Sequence, residues 1–202
     1  MAKKHQHYRS IFTFMDRITD KLQEFGALTP QQAALIKSRL TLMDLPKGSY
    51  LGEAGKIHNR VGFLTEGIMR VCYYDNKGEE ITRCFVSENN FAVDVNSFYN
   101  QLAASEYIEA VTDCKLLILG RDHFTELAAT ILPWNDIFNK MSSASMMRKL
   151  KISQRMLGQD AKDRYLGFMT DYPLLANRIP LHMLASYLGI TQSSLSRIRK
   201  NI

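Results

Sequence analysis

Ile179-Pro180-Leu181-His182-Met183-Leu184-Ala185-Ser186-Tyr187-Leu188-Gly189-Ile190-Thr191-Gln192-Ser193-Ser194-Leu195-Ser196-Arg197-Ile198-Arg199-Lys200 reads as two short helices joined by a tight turn. Pro180 suits the start of a helix because it needs no amide partner there. Leu181, Leu184, Ala185 and Leu188 fall on one face, and small Ala185 lets a second helix cross closely. Gly189 permits the left-handed backbone that a sharp inter-helix turn requires. Ile190 plugs the space beneath that turn, and Thr191 is a good N-cap for the next helix. Leu195 and Ile198 then face inward.

That packing leaves Gln192, Ser193, Ser196, Arg197 and Lys200 on the outer face, with Arg199 close by. A second helix laid in the major groove reads bases with its first residues. Gln pairs bidentately with adenine and Arg with guanine, while Ser accepts either. Arg199 and Lys200 suit phosphates, and Thr191 with the free amides at the helix start suits another. The charge distribution agrees. Residues 141–202 hold ten Lys or Arg against three Asp, a balance of +7; the total is +6, so the rest of the chain carries −1. The expected partner is double-stranded DNA, and the expected contacts are Thr191, Gln192, Ser193, Ser196, Arg197, Arg199 and Lys200. A helical hairpin that merely ends a domain is the alternative reading of the same residues.

Upstream lies a long helical stretch, from about Trp134 to Leu157 after Pro133. Ile137, Met141, Ala144, Met147, Leu150 (or Lys151) and Gln154 keep close to heptad spacing. Such a stripe suits a seam against an identical partner, or an amphipathic helix packed on its own domain. Before it the period changes to that of strands. Val61–Leu64, Gly67–Tyr74, Glu80–Val86, Tyr107–Val111 and Cys114–Leu119 are short runs rich in β-branched and aromatic residues. Turn residues such as Asp75-Asn76-Lys77-Gly78 separate them. Short strands at this spacing predict an antiparallel barrel or roll, followed by a short helix at Arg121–Leu127. The chain begins with a helical stripe, Ile11, Phe14, Met15, Ile18, Leu22 and Phe25. A second helix opens at Thr29-Pro30-Gln31-Gln32, where Gln32 reaches back to the cap.

Several classes are excluded at this level. The 202 residues are 46% apolar and 23% charged, the balance of a globular chain. The three cysteines, Cys72, Cys84 and Cys114, form no CxxC pair and read as scattered buried thiols of a reducing compartment. No run is apolar enough to span a membrane, and the basic start lacks the apolar core of a signal peptide, so a cytoplasmic location is expected. Asp94, Glu106 and His123 are the residues to consider for catalysis. They show no catalytic spacing, and the chain is read as not an enzyme.

The segment Ala185–Arg199 together with Leu51-Gly52-Glu53-Ala54-Gly55, Phe63–Val71 and Asp160–Leu166 resembles the Crp–Fnr family of bacterial transcription regulators over nearly the whole chain. The turn and second helix look like the form in Bacteroidetes-type members. The resemblance implies an α+β fold: a cyclic-nucleotide-binding-like antiparallel β-roll, a long dimerisation helix and a C-terminal helix-turn-helix. It implies a sensor domain at 1–132, a dimerisation helix at 133–157 and a DNA-binding domain at 158–202 lacking a complete wing. The implied partners are a second copy of the chain, DNA, RNA polymerase and a small-molecule effector of unidentified class. The effector pocket falls on Met69, Phe91, Val93, Asp94, Ala104, Ser105 and Tyr107.

Departures from the family pattern narrow the effector. Cyclic-nucleotide binders carry Gly-Glu in a short phosphate-binding helix and an Arg for the cyclic phosphate. Phe91–Phe98 aligns with that helix, so Val93 replaces the Gly, Asp94 the Glu and Ala104 the Arg. Glu106 adds further negative charge. A buried phosphate without its Arg forfeits about 2–5 kcal/mol, so neither cAMP nor cGMP is expected to bind. Residues 1–71 contain no cysteine, which argues against an iron–sulfur cluster, and His58 or Cys72 alone makes a poor case for haem. No cofactor or metal is expected. The Arg-Glu pair common at the start of the reading helix is replaced by Gln192-Ser193, while Arg197 is kept, so a different operator is implied. A ligand-binding module that acts through protein contacts, with DNA binding lost, is the alternative.

Overall fold

The runs Val61–Leu64 and Leu116–Leu119 contain no polar residue, whereas half-buried strands alternate. The computed structural model, which describes residues 14–202, places both runs in one sheet that is covered on both faces. Eight strands form the sandwich: β1 (Thr41–Leu45), β2 (Tyr50–Gly52), β3 (Arg60–Glu66), β4 (Met69–Tyr74), β5 (Glu80–Val86), β6 (Asn90–Ala92), β7 (Tyr107–Ala110) and β8 (Cys114–Gly120). The first sheet has the order β1-β8-β3-β6 and the second β2-β7-β4-β5, with antiparallel neighbours throughout. Leu64, Leu116 and Ile118 of the first sheet meet Met69, Ile108 and Ala110 of the second. Val61, Phe63, Leu117 and Leu119 point the other way, into a core built with helices. A strand buried on both faces has no solvent side to mark with polar residues.

The helices that cover this outer face come from both ends of the domain. Helix α1 covers residues 14–23 and α2 covers Pro30–Ser38; Ile11 and the basic start of the chain lie outside the described residues. The α2 cap forms as its sequence predicts. Thr29 Oγ1 accepts from the Gln32 amide at 3.2 Å, and Gln32 Oε1 accepts from the Thr29 amide at 2.9 Å. Helices α3 (Val95–Asn100), α4 (Arg121–Thr130) and α5 (Trp134–Gly158) follow. Trp134, Ile137 and Phe138 are buried in one cluster with Ile18, Leu22, Ile36 and Phe124. The boundary read at residue 133 therefore marks the start of an element and not of a separate core.

Beyond that first stretch α5 leaves the sandwich. Met141 is half-buried, and Ala144, Met147, Leu150, Lys151 and Gln154 are exposed. The chain then turns into α6 (Ala161–Asp171), α7 (Leu181–Leu188) and α8 (Gln192–Lys200). These three pack on the second sheet. Ile68, Phe85 and Val111 share a cluster with Tyr165, Phe168, Ile179, Leu184, Tyr187 and Leu195. Phe85 lies 5.4 Å from the Tyr187 ring and 6.1 Å from Phe168. The Ser186 hydroxyl accepts from the Thr82 amide at 2.9 Å and donates to the Glu80 carbonyl at 3.0 Å. At the far end of the contact Arg178 pairs with Glu88 at 2.6 Å. Among the described residues no helix is long and apolar enough to cross a membrane.

One assignment changes. The resemblance puts Phe91–Phe98 in a single short helix, but Phe91 and Ala92 belong to β6, paired with Phe63 and Gly62. Phe91 packs edge-on against Phe63 at 5.1 Å, and the helix starts only at Val95, capped by Asp94. The cross-strand aromatic pair is one of the contacts that hold Phe91 in the sheet.

The β3–β4 connection depends on Gly67. Its φ is +103°, and a Cβ there would lie 2.5 Å from the Asp113 carbonyl oxygen. Gly67→Ala is expected to lower stability by about 1–3 kcal/mol or more, read as a fall in the urea midpoint. An unchanged midpoint would mean that the turn relaxes freely.

Candidate nucleic-acid interface and ligand site

The turn between α7 and α8 has the chemistry its sequence predicts. Gly189 ends α7 with φ 64° and ψ 39°, and its amide bonds back to the last turn. The Ile190 amide reaches the Ala185 carbonyl at 3.1 Å, which closes the helix end. Thr191 caps α8, its Oγ1 accepting from the Ser194 amide at 3.2 Å. Leu195 is fully buried and holds α8 on the shared core.

The remaining faces of α8 divide. Thr191, Gln192, Ser193, Arg197 and Lys200 are exposed, and Ser196 is half-buried. Arg199 differs from them. Its Nη2 donates to the Ala176 carbonyl at 2.9 Å, and its guanidinium lies 5.7 Å from the centre of the Tyr165 ring. That side chain ties α8 to α6 and to the segment before α7, and is not free to meet a phosphate as the outward residues are. Arg164, which sequence reading counted only as part of the basic excess, stands beside the turn: its Nη1 would lie 3.4 Å from a Cβ at Gly189. Its spacing in the sequence gives no sign of this, because α6 meets the turn only through the tertiary fold.

The residues expected to line an effector pocket do not converge. Met69 is wholly buried between the sheets. Phe91 and Val93 pack on the opposite core, next to Phe63 and Phe138. Ala104 is buried and exchanges backbone hydrogen bonds with Gly55 and Lys56, while Ser105 is exposed. Tyr107 pairs with Cys72 and Ile108 with Val71, so Tyr107 lies on the face away from Met69, where it joins Tyr50 and Tyr74. Parity along a strand decides this, and the sequence alone did not fix it.

Asp94 and Glu106 do come together. Asp94 Oδ1 caps α3 through the Ser97 amide at 3.0 Å. Glu106 pairs with Arg83 at 2.7 Å. Burial, with Asp94 adding to it, raises the Glu106 carboxyl above its ordinary value, against the opposing pull of Arg83 and Lys149. Asp94 and Glu106 thus share this region with the cations Arg83 and Lys149.

On the outer face of the second sheet sits a buried charge network that sequence reading missed. Arg70, 2% exposed, donates from Nε and Nη2 to Glu109 Oε2 at 2.8 and 2.5 Å. Its Nη1 reaches Glu80 at 2.5 Å and the Thr82 hydroxyl at 3.1 Å. Cys72 lies beside them, 3.8 Å from Glu109, its thiol pushed up to about 12 by burial. Cys72, Glu80 and Glu109 bring their ligand atoms within 4.8 Å of one another. The guanidinium already occupies the charge centre of that group, so it reads as an ion-paired network. Elsewhere a cleft of about 400 Å³ opens between Lys47, Thr112, Asp113, Arg178 and Pro180.

Glu88 gives the contact between sandwich and C-terminal helices a pH dependence. Burial alone would raise its carboxyl, but Arg178 and the Gly67 amide outweigh burial and hold it below its ordinary value of 4.5. A depressed acid contributes stability that is full above the unfolded value and is lost as pH falls through the folded one. The urea midpoint of Glu88→Gln should therefore trail that of the parent most above pH 4.5, and the gap should close on acidification. A gap that widened in acid would reverse the assignment.

Residues 42–130 match the family model of the cyclic nucleotide-binding domain. No curated protein sequence matches the chain. The fold is similar to that of CLP from Xanthomonas campestris, a global regulator described as c-di-GMP responsive, with TM-score 0.67 and 12% identity over 86% of this chain and 91% of that one. It is similar to FixK2 from Bradyrhizobium japonicum, with TM-score 0.67 and 15% identity over 80% of this chain and 83% of that one. It is also similar to the catabolite activator protein of Thermus thermophilus, with TM-score 0.55 and 20% identity over 90% and 85%. A transcriptional regulator of the Crp/Fnr family from Eubacterium rectale is similar as well, with TM-score 0.66 and 16% identity over 86% of this chain and 83% of that one; at such identities the likeness speaks to the fold.

Proposed function

We propose that this chain is a sequence-specific DNA-binding transcription regulator that acts as a cytoplasmic homodimer and answers to neither cAMP nor cGMP. The observation that carries the reading is the outer face of α8. Gln192, Ser193, Arg197 and Lys200 stand exposed on a capped helix, in the one strongly basic third of the chain. α7, the Gly189 turn and α8 form the helix-turn-helix in this reading, with α8 entering the major groove. Arg197 reads guanine and Gln192 adenine; Thr191, Ser193 and Ser196 adjust the approach, and Lys200 with Arg164 meets phosphates. Arg199 holds the reading helix in place.

Dimerisation is supported by the exposed second half of α5. Met146 is 73% exposed, Met147 66%, Leu150 53% and Leu157 88%. Apolar side chains at such spacing suit a parallel helical seam, and a two-fold pair presents α8 twice. The cyclic nucleotide prediction rests on Ala104 and on Glu106 beside Asp94. A catalytic role finds no support: Asp94 caps α3, Glu106 pairs with Arg83, and His123 is exposed on α4.

The test is selection from random DNA followed by affinity measurement across salt. The parent should enrich a two-fold symmetric site, and log K should fall linearly with log salt. Arg197→Ala should cost about 1–3 kcal/mol at that site and relax preference at one base pair of each half. If no sequence is enriched, a regulatory module acting through protein contacts is the better reading. Calorimetric titration with cAMP should show no saturable heat; micromolar binding would overturn the argument from Ala104 and Glu106.

A further inference from the structure

We propose that Ser186 is a positioning residue for DNA reading. Its hydroxyl, seated between the Thr82 amide and the Glu80 carbonyl, fixes α8 relative to the sandwich and so fixes the half-site spacing that a dimer accepts. The inference rests on the DNA-reading proposal above.

β5 is an outer strand of its sheet, so one side of it carries backbone amides and carbonyls with no strand to pair them. Thr82 and Glu80 present such groups outward. A serine hydroxyl both donates and accepts, and Ser186 uses both capacities here, at 2.9 and 3.0 Å. In effect it stands where one residue of a ninth strand would stand. A serine inside a helix ordinarily bonds its own preceding turn or water; this one reaches across 104 and 106 residues of sequence.

The strand it grips is itself pinned from behind. Arg70 Nη1 holds both the Glu80 carboxylate and the Thr82 hydroxyl, while the rest of its guanidinium holds Glu109 on β7. The two residues whose backbone meets Ser186 are thus the two whose side chains are fixed by one buried arginine. On the other side, Ser186 lies three residues before Gly189 and six before Gln192, with a closed turn between them. A hydrogen-bonded path therefore runs from the centre of the second sheet to the start of α8. The Phe85–Tyr187 contact beside it is apolar and tolerates sliding, since burial has no preferred direction; hydrogen bonds do have one.

Half-site spacing is the readout that a merely structural role does not move. The experiment measures full-length parent and Ser186→Ala against palindromes built from the selected half-site, with the spacer lengthened or shortened one base pair at a time. Amide exchange at Thr82 is followed in the free proteins. The parent should show one sharp optimum. Ser186→Ala should keep the same half-site preference but lose about five- to hundredfold of the penalty on the wrong spacers, the scale of two hydrogen bonds, and Thr82 exchange should accelerate. Identical spacing penalties in both proteins overturn the assignment, as does an unchanged Thr82 exchange rate. If neither protein selects DNA, the DNA reading itself fails, whereas sharp binding by the parent with no change in the variant sinks only the role of Ser186.

Discussion

Arg70 carries a positive charge in a place where water hardly reaches, and the second sheet is organised around neutralising it. Glu109 from the neighbouring strand and Glu80 from the outer strand share the guanidinium, and Thr82 completes its donors. An isolated charge at such depth would cost several kcal/mol, so the three strands β7, β4 and β5 cannot shift register without leaving it unpaired. The sheet that results presents its outer strand to Ser186 of α7. A purely apolar network of equal volume would pack, but it would set no register, and the surface offered to the C-terminal helices would be less defined.

From that constraint the molecule reads as a series of layers. Helices cover the first sheet, the two sheets enclose a narrow apolar core, and the C-terminal helices cover part of the second sheet. No layer has a core of its own. Phe85 and Ile68 from the sandwich complete the packing of α6 and α7, while Trp134 and Phe138 from α5 complete that of the first helices. The layers are therefore joined by packed side chains.

The legible parts of the sequence were those fixed by local chemistry. Thr29 with Gln32, Gly189 before Thr191, and the long period from Trp134 onward each follow from a cap, a turn or a helical stripe of a few residues. The eight-stranded sandwich was legible in outline through its short β-branched runs, although β6 was hidden because the family resemblance assigns Phe91 to a short helix. The pocket residues were not legible as a set. Whether Tyr107 faces Met69 depends on strand parity and pairing, which the alternation of one short strand cannot settle. The contacts of Arg199 were not legible for a related reason: they depend on the Ala176 carbonyl and the Tyr165 ring, which the fold brings from distant segments. Ser186 carried no signal at all, since its partners lie more than a hundred residues away.

Cys72, enclosed in the arginine network, has one more consequence. With its thiol pushed up to about 12 by burial, Cys72 keeps its proton at neutral pH, and the thiolate is the form that peroxides and disulfides attack. Burial raises Cys84 and Cys114 in the same direction. Burial thus holds all three thiols in the protonated form that reacts slowly.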